Sequence, residues 1–157
     1  MKINQTLLDL TVILALCSVG IIEARTSLPA QPIEGIVTDV RDGDTIELGS
    51  KVSRLHGVAA PELAQPLGKE ATRLLRKLVD GQEIACTPDG TRTRGRIVAV
   101  CTLEGEDVGA MLIRAGLARD CPRYSHGRYA VDEQAALTQG TSIQSVYELP
   151  DYCRARP

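Results

Sequence analysis

The chain has 157 residues and a formal net charge of −2, and a length of this order favours a single domain. A protein that binds nucleic acid by releasing counterions from many phosphates is normally strongly basic, so the charge excludes a general polyanion binder. Any phosphate recognition must therefore be local. The sequence contains four Tyr but no Phe and no Trp, so we expect an aliphatic core.

Residues 1–24 are interpreted as an export signal and the start of a linker. Lys2 supplies the positive end, residues 10–16 form an almost unbroken apolar run, and Ser18 and Gly20 offer a small-x-small cleavage site. The run is too short to span a bilayer comfortably. An uncleaved anchor and a buried N-terminal strand are the alternatives. We expect a periplasmic or secreted monomer, without stable membrane association after signal cleavage.

After a linker at residues 25–34, short apolar runs between Gly-containing turns predict strands, and apolar residues at helical spacing predict helices. The strands are expected at residues 33–40, 45–48, 51–58, 83–86 and 97–101, and the helices at residues 68–80, 106–115 and 129–139. This order predicts a small Greek-key barrel with helices packed on its outside. An irregular tail is expected at residues 141–157.

The cysteines outside the export signal number four: Cys86, Cys101, Cys121 and Cys153. An even number in an exported chain indicates disulfides, with three possible connectivities. A zinc site is the alternative, but the chain has no Cys-x-x-Cys spacing and only two His. A hairpin over residues 83–103 places Cys86 opposite Cys101, within reach of a bridge that stabilises by roughly 3 kcal/mol. Cys121–Cys153 follows by elimination and would tether the tail.

The turn Asp42-Gly43-Asp44-Thr45 lies where the first predicted strand leads into the second. Asp42 and Asp44 are two residues apart, so their carboxylates can project to the same side. Hard oxygens at a turn are the ligands that Ca²⁺ or Mg²⁺ selects. The alternative is purely structural, because Asp-Gly is common in hairpin turns.

Three polar residues further along the chain favour a chemical role for this turn. Arg54 begins the segment Arg-Leu-His-Gly-Val-Ala-Ala-Pro-Glu, which ends in Glu62. Arg96 directly precedes another predicted apolar strand. Phosphoryl chemistry needs cationic groups on the phosphate oxygens and an oriented nucleophile, and often a metal. Guanidinium forks suit a phosphate better than Lys does.

In this order the pieces resemble the staphylococcal nuclease (thermonuclease-like) family. The matching pieces are Asp-Gly-Asp-Thr, Arg-Leu-x-Gly-Val-x-Ala-Pro-Glu, Gly-Arg before a strand, and the helix end Arg-x-Gly-Leu-Ala. The resemblance covers most of the chain after the linker. It implies a five-stranded OB-fold barrel with three α-helices, an α+β domain at residues 35–140.

The resemblance also implies Ca²⁺-dependent hydrolysis of phosphodiester bonds in DNA and RNA. It makes Asp44 a carboxylate ligand of the metal and the backbone carbonyl of Ala60 another ligand. Asp42 would lie near these ligands without contacting the metal directly. The family's loop normally reads Asp-x-Pro-Glu, and that Asp is the second carboxylate ligand, but the position is Ala59 here. Loss of a full negative charge weakens a Ca²⁺ site, and Asp42 is the candidate for partial compensation.

For catalysis the resemblance implies that Glu62 positions or deprotonates the attacking water. Arg54 and Arg96 would hold the phosphate and stabilise the charge that accumulates on its oxygens. The usual Asp and aromatic residue before the Gly-Arg pair are Arg92 and Arg94 in this chain. These two arginines restore phosphate attraction, and Tyr124 is the nearest candidate for stacking a base.

Two functions follow from these residues. The first is an exported Ca²⁺-dependent endonuclease-like enzyme, with activity weakened by Ala59, acting on DNA or RNA. The second is a non-catalytic module of the same fold that binds a polyanion or a partner protein. An acidic polysaccharide is an alternative polyanion for the same arginines, for example in an accessory protein of succinoglycan-type exopolysaccharide biosynthesis.

Overall fold

The computed structural model describes residues 31–154. The predicted export signal at residues 1–24 lies outside this part of the chain, as does most of the linker. None of the helices within residues 31–154 is long and apolar enough to cross a membrane.

Eight strands form two sheets in the described part of the chain. Their bounds are β1 Ile33–Asp42, β2 Thr45–Leu48, β3 Lys51–Leu55, β4 Val58–Ala59, β5 Glu83–Thr93, β6 Arg96–Leu103, β7 Glu106–Asp107 and β8 Arg119–Asp120. The larger sheet has the order β3-β2-β1-β5-β6-β7, and β4 pairs only with β8. Because β3 also pairs in parallel with β6, the two ends of the run from β3 to β6 are joined. This confirms an OB-fold-like α+β arrangement.

Four helices pack around the sheet, where three were expected: α1 Gly68–Val79, α2 Val108–Arg114, α3 Pro122–Ser125 and α4 Ala130–Thr138. The additional helix, α3, is a single turn that begins at Pro122, a residue suited to a first helical position. The helix predicted from residue 106 begins later, at Val108. Asp107 caps it by accepting hydrogen bonds from the backbone N–H groups of Gly109 and Ala110.

Two strand boundaries also differ from the prediction. The third strand ends at Leu55 rather than residue 58, because Gly57 turns the chain with a φ of 69° before β4 begins. The hairpin strands β5 and β6 extend through the stretch expected to be a turn, so that the chain reverses only at residues 94–95. A register shift between Pro88 and Arg92 accommodates the extra residues.

The core is aliphatic, as expected, and α1 covers one side of it through Ala71, Leu75 and Val79. Gly43 brings the Asp-Gly-Asp-Thr turn against this helix. A Cβ at Gly43 would lie 2.6 Å from the Cβ of Ala60 and 2.9 Å from that of Ala71. The glycine therefore allows the turn to approach both the loop after β4 and α1, which sets the position of Asp44.

Both predicted disulfides are present. Cys86 and Cys101 are direct cross-strand partners in the β5–β6 hairpin, and Cys121 is bonded to Cys153. The tail is more ordered than predicted, with short 3-10 turns at Ile143–Ser145 and Asp151–Cys153. It forms a second apolar cluster with the loop after β4. The cluster contains Ala59, Cys121, Ile143, Tyr147 and Cys153.

We expect the Cys121–Cys153 bridge to hold the tail on the domain. Replacing both cysteines by Ser should lower the free energy of unfolding by about 3.5 kcal/mol on the chain-entropy model. It should also expose the tail to carboxypeptidase and trypsin. Urea denaturation and limited proteolysis under oxidising conditions measure the two effects.

The matched control is the Cys86→Ser/Cys101→Ser variant, which loses a bridge of shorter sequence separation, 15 residues against 32. It should be destabilised by a similar amount while its tail stays protected. A tail that resists proteolysis equally in both variants would contradict this role of the bridge.

Candidate functional site

A buried ion pair lies at the centre of the site. In the β2–β3 register Thr45 is opposite Arg54, so the neighbouring Asp44 comes within reach of the guanidinium group. Nη1 of Arg54 donates to Oδ1 of Asp44 at 2.5 Å, and Asp44 is only 4% exposed. The hydroxyl of Thr45 donates to the same oxygen at 3.1 Å. The carboxylate therefore has internal partners.

Burial raises the pKa of Asp44 to about 7, and the guanidinium of Arg54 only partly offsets this effect. The nearby carboxylate of Asp42 adds to the rise. Asp42 itself is engaged with the backbone, since its Oδ1 accepts the N–H of Asp44 at 3.1 Å. Asp44 thus changes charge close to neutral pH.

A residue of the tail donates a hydrogen bond to the backbone oxygen that the resemblance assigns to the metal. The hydroxyl of Tyr147 donates to the carbonyl of Ala60 at 3.1 Å. Burial raises the pKa of Tyr147 to about 12, so the hydroxyl stays protonated and remains a donor. Ala59, at the position of the missing carboxylate, is fully buried against the tail cluster.

The oxygen donors of this site do not fit a calcium ion. Ca²⁺ takes six to eight oxygen ligands, several of them charged. Here Oδ1 of Asp44 is paired with Arg54, the Ala60 carbonyl accepts from Tyr147, and the side chain of Ala59 offers no oxygen. Residues 31–154 contain no group of three His, Cys, Asp or Glu side chains placed to hold a metal.

An open cleft of about 510 Å³ lies in front of the ion pair. Its walls come from β3, the end of the β5–β6 hairpin, the loop after β4, α3 and the tail. Six residues predicted for the site line it: Arg54, Glu62, Arg92, Arg94, Arg96 and Tyr124. Asp44, Asp42 and the Ala60 carbonyl do not line it. The structure therefore brings the predicted catalytic and substrate-binding side chains together in one cleft, and the predicted metal ligand Asp44 lies behind them in contact with Arg54.

Arg96 hydrogen-bonds to the same Asp-Gly-Asp-Thr turn as Arg54. It begins β6, and its Nη1 donates to the Thr45 hydroxyl at 3.0 Å while its Nε lies 3.4 Å from the carbonyl of Thr93. Because Thr45 also contacts Asp44, the two arginines are linked through the turn. Nη2 of Arg54 also donates to the carbonyl of Val58 at 3.4 Å, and both arginines line the cleft.

Glu62 lies on the loop after β4, with an exposed side chain on the rim of the cleft. The loop is fixed by Gln65, whose side chain accepts the Glu62 N–H at 2.7 Å and whose N–H donates to the Glu62 carbonyl. A Cβ at Gly68 would lie 1.9 Å from that carbonyl, so the start of α1 packs directly against the Glu62 backbone. The carboxylate is thus exposed on a fixed backbone.

The lining of the cleft contains four guanidinium groups but only two carboxylates, those of Glu62 and Asp89. The cleft therefore carries a local positive excess on a chain whose net charge is −2. This agrees with the expectation that phosphate recognition, if present, is local. Hydrogen-bond donors from arginine attract phosphodiester oxygens more strongly than neutral donors do.

Sequence reasoning missed two tyrosines of the tail. Tyr147 reaches Ala60 across 87 residues of sequence, and Tyr152 lines the cleft beside Tyr124. Periodicity gives no signal for either residue. The tether at Cys153, one residue after Tyr152, is the one feature that could have placed the end of the tail near the site.

Residues 52–143 match the family described as staphylococcal nuclease homologue. The chain is 33% identical over 126 residues to the succinoglycan biosynthesis protein ExoI of Rhizobium meliloti, covering 73% of this chain and 65% of that protein. It is 36% identical over 91 residues to an uncharacterized endonuclease of Escherichia coli, covering 55% of this chain and 60% of that protein. The chain spans less than two thirds of the length of these relatives. On the family match and the fold, the chain belongs to the staphylococcal nuclease homologue family.

Proposed function

We propose that the protein is an exported nuclease-like phosphodiesterase that binds a strand of DNA or RNA in the cleft and hydrolyses it. The observation that carries the proposal is the convergence of Arg54, Arg96 and Glu62 on one cleft. A relative of similar sequence is named an endonuclease, which supports the same reaction class. The two disulfides are consistent with an oxidising compartment, and hence with a periplasmic or secreted protein.

Arg54 and Arg96 would bind the phosphate that is cleaved. Each guanidinium is anchored on one side, Arg54 by Asp44 and Arg96 by the Thr45 hydroxyl. Anchored donors stabilise charge that develops on the non-bridging oxygens without having to reorganise during the reaction. The exposed Arg92 and Arg94 would contact neighbouring phosphates of the strand.

Glu62 would act as the general base. Its carboxylate accepts a proton from a water molecule as the water oxygen attacks phosphorus, and the bond from phosphorus to the leaving oxygen breaks. The leaving oxygen takes a proton from solvent, and Glu62 later returns its proton to solvent. Because the carboxylate is exposed at the rim, it stays in contact with water during every step of the hydrolysis.

Calcium, the cofactor that the resemblance implies, has no step in this proposal because the donor set does not fit it. Calcium dependence stays a prediction of the resemblance. The same observation favours a second candidate function, a non-catalytic module that binds a polyanion. One relative is named a succinoglycan biosynthesis protein, and an acidic polysaccharide would meet the same arginines.

Cleavage of labelled single-stranded DNA and RNA, in EDTA and in Ca²⁺, tests the proposal. Glu62→Gln should lower the cleavage rate by about 100-fold or more, because it removes the general base. Its affinity for the strand should hold or rise, since a negative charge leaves the cleft. Arg96→Lys should weaken both binding and cleavage, because the fork geometry is lost.

The matched control is Glu83→Gln, an exposed glutamate at the start of β5 that does not line the cleft. It should cleave like the wild type. If the wild type cleaves neither polymer in either condition but binds an acidic polysaccharide, the second function is correct and the hydrolytic proposal is wrong.

The pKa of Asp44 makes binding of the strand depend on pH. As the pH falls from about 8 to 6, Asp44 takes up a proton and no longer neutralises Arg54, so the cleft gains positive charge. Affinity for a single strand should therefore rise as the pH falls, by about fivefold at low salt. Fluorescence anisotropy in the Glu62→Gln background measures this without cleavage.

In the Asp44→Asn variant this part of the pH dependence should disappear, because the side chain stays neutral. His56→Gln is the control, because Nε2 of His56 lies 3.4 Å from Asp89 on the cleft wall. His56→Gln should keep most of the pH dependence. A pH profile that is unchanged in Asp44→Asn would contradict this role of Asp44.

A further inference from the structure

The four tyrosines of the chain divide into two pairs. Tyr129 and Tyr147 are buried, and their hydroxyls donate to the backbone carbonyls of His56 and Ala60 at 3.2 Å and 3.1 Å. Tyr124 and Tyr152 are 44% and 50% exposed, and both line the cleft. In a chain without Phe or Trp, the two exposed aromatic rings thus lie in the one cleft that carries the arginines.

A single covalent bond brings these two rings to the same wall. Tyr124 belongs to α3, three residues after Cys121, and Tyr152 directly precedes Cys153. The bridge joins the two cysteines with their Cα atoms 4.5 Å apart. Cys153 is fully buried, so the turn that presents Tyr152 is fixed at its base while the ring itself faces the cleft.

The surroundings of the rings suit an anionic ligand with aromatic groups. The guanidinium of Arg123 lies 5.7 Å from the centroid of the Tyr124 ring, an arrangement in which the cation is attracted to the ring face. The same cleft contains the guanidinium groups of Arg92, Arg94 and Arg96. Single-stranded nucleic acid combines a phosphate chain with unstacked bases, and proteins bind it with basic grooves and aromatic platforms.

We infer that Tyr152, held by the Cys121–Cys153 bridge, is a substrate-binding residue that together with Tyr124 stacks on a nucleobase of a single strand. The inference rests on the proposed function, because it takes the arginine cleft as the phosphate site. Tyr152 acts through its ring face, and stacking on a ring face is tolerant of base identity. Bases in a duplex are already stacked on each other, so the cleft prefers single strands.

The test uses two labelled oligonucleotides of equal length, oligo-dT and a chain of abasic sites with the same phosphates. Binding is measured by fluorescence anisotropy in EDTA, with the oxidised protein in the Glu62→Gln background. Tyr152→Ala should weaken binding of oligo-dT about tenfold and leave the abasic chain within twofold. Tyr152→Phe should restore the affinity for oligo-dT, because the ring is kept.

The control in the same tail is Val146→Ala, since Val146 is 52% exposed and does not line the cleft. It should bind both oligonucleotides like the parent protein. The Cys121→Ser/Cys153→Ser variant should behave like Tyr152→Ala, because the ring is then no longer positioned. Thermal unfolding of each variant identifies any loss of binding that follows from loss of the fold.

Three results would overturn the inference. If the parent protein binds oligo-dT and the abasic chain equally well, or if Tyr152→Ala weakens both to the same extent, the ring does not bind a base. In that case the arginine cleft and the proposed function stand. If the parent protein binds neither oligonucleotide, the proposed function and the inference fail together.

Discussion

The buried ion pair between Asp44 and Arg54 is the contact on which the rest of the site depends. The β2–β3 register places the two residues side by side, and Gly43 lets their turn pack against Ala60 and Ala71. Taking the Asp44 carboxylate out of water is costly, and its contacts with Arg54 and the Thr45 hydroxyl compensate for only part of that cost. Arg54 is thereby held in the wall of the cleft, where the carbonyl of Val58 also accepts from its Nη2. The carboxylate of Asp44 in turn accepts from the guanidinium of Arg54 inside the protein.

The tail completes this arrangement from the other side. The bridge between Cys121 and Cys153 belongs to an apolar cluster that also contains Ala59. The hydroxyl of Tyr147 donates a hydrogen bond to the carbonyl of Ala60. Oδ1 of Asp44 and the carbonyl of Ala60 therefore already accept hydrogen bonds within the protein. The cleft in front keeps its arginines, Glu62 and two exposed tyrosines accessible. The arginines that would recognise phosphate and the predicted metal ligand Asp44 are thus directly linked, through the contact between Arg54 and Asp44.

Much of the fold could be predicted because its signals are local. Strand alternation, the Asp-Gly turn and the opposite placement of Cys86 and Cys101 depend on residues near each other in sequence. The start of α2 was predicted too early, since Asp107 caps the helix and residues 106–107 pair with β6 instead. The contact of Tyr147 with Ala60 could not be predicted. It joins residues 87 apart and depends on how the tail packs, which no periodicity encodes.

Titration calorimetry of the oxidised protein with Ca²⁺ tests most directly whether Asp44 is a partner of Arg54 rather than a metal ligand. Because Oδ1 of Asp44 pairs with Arg54 and the side chain of Ala59 supplies no carboxylate, the site should show no saturable binding below about 1 mM, the weak end of the range for protein calcium sites. The account is contradicted by one calcium ion bound per chain at micromolar concentration, with binding abolished in Asp44→Asn.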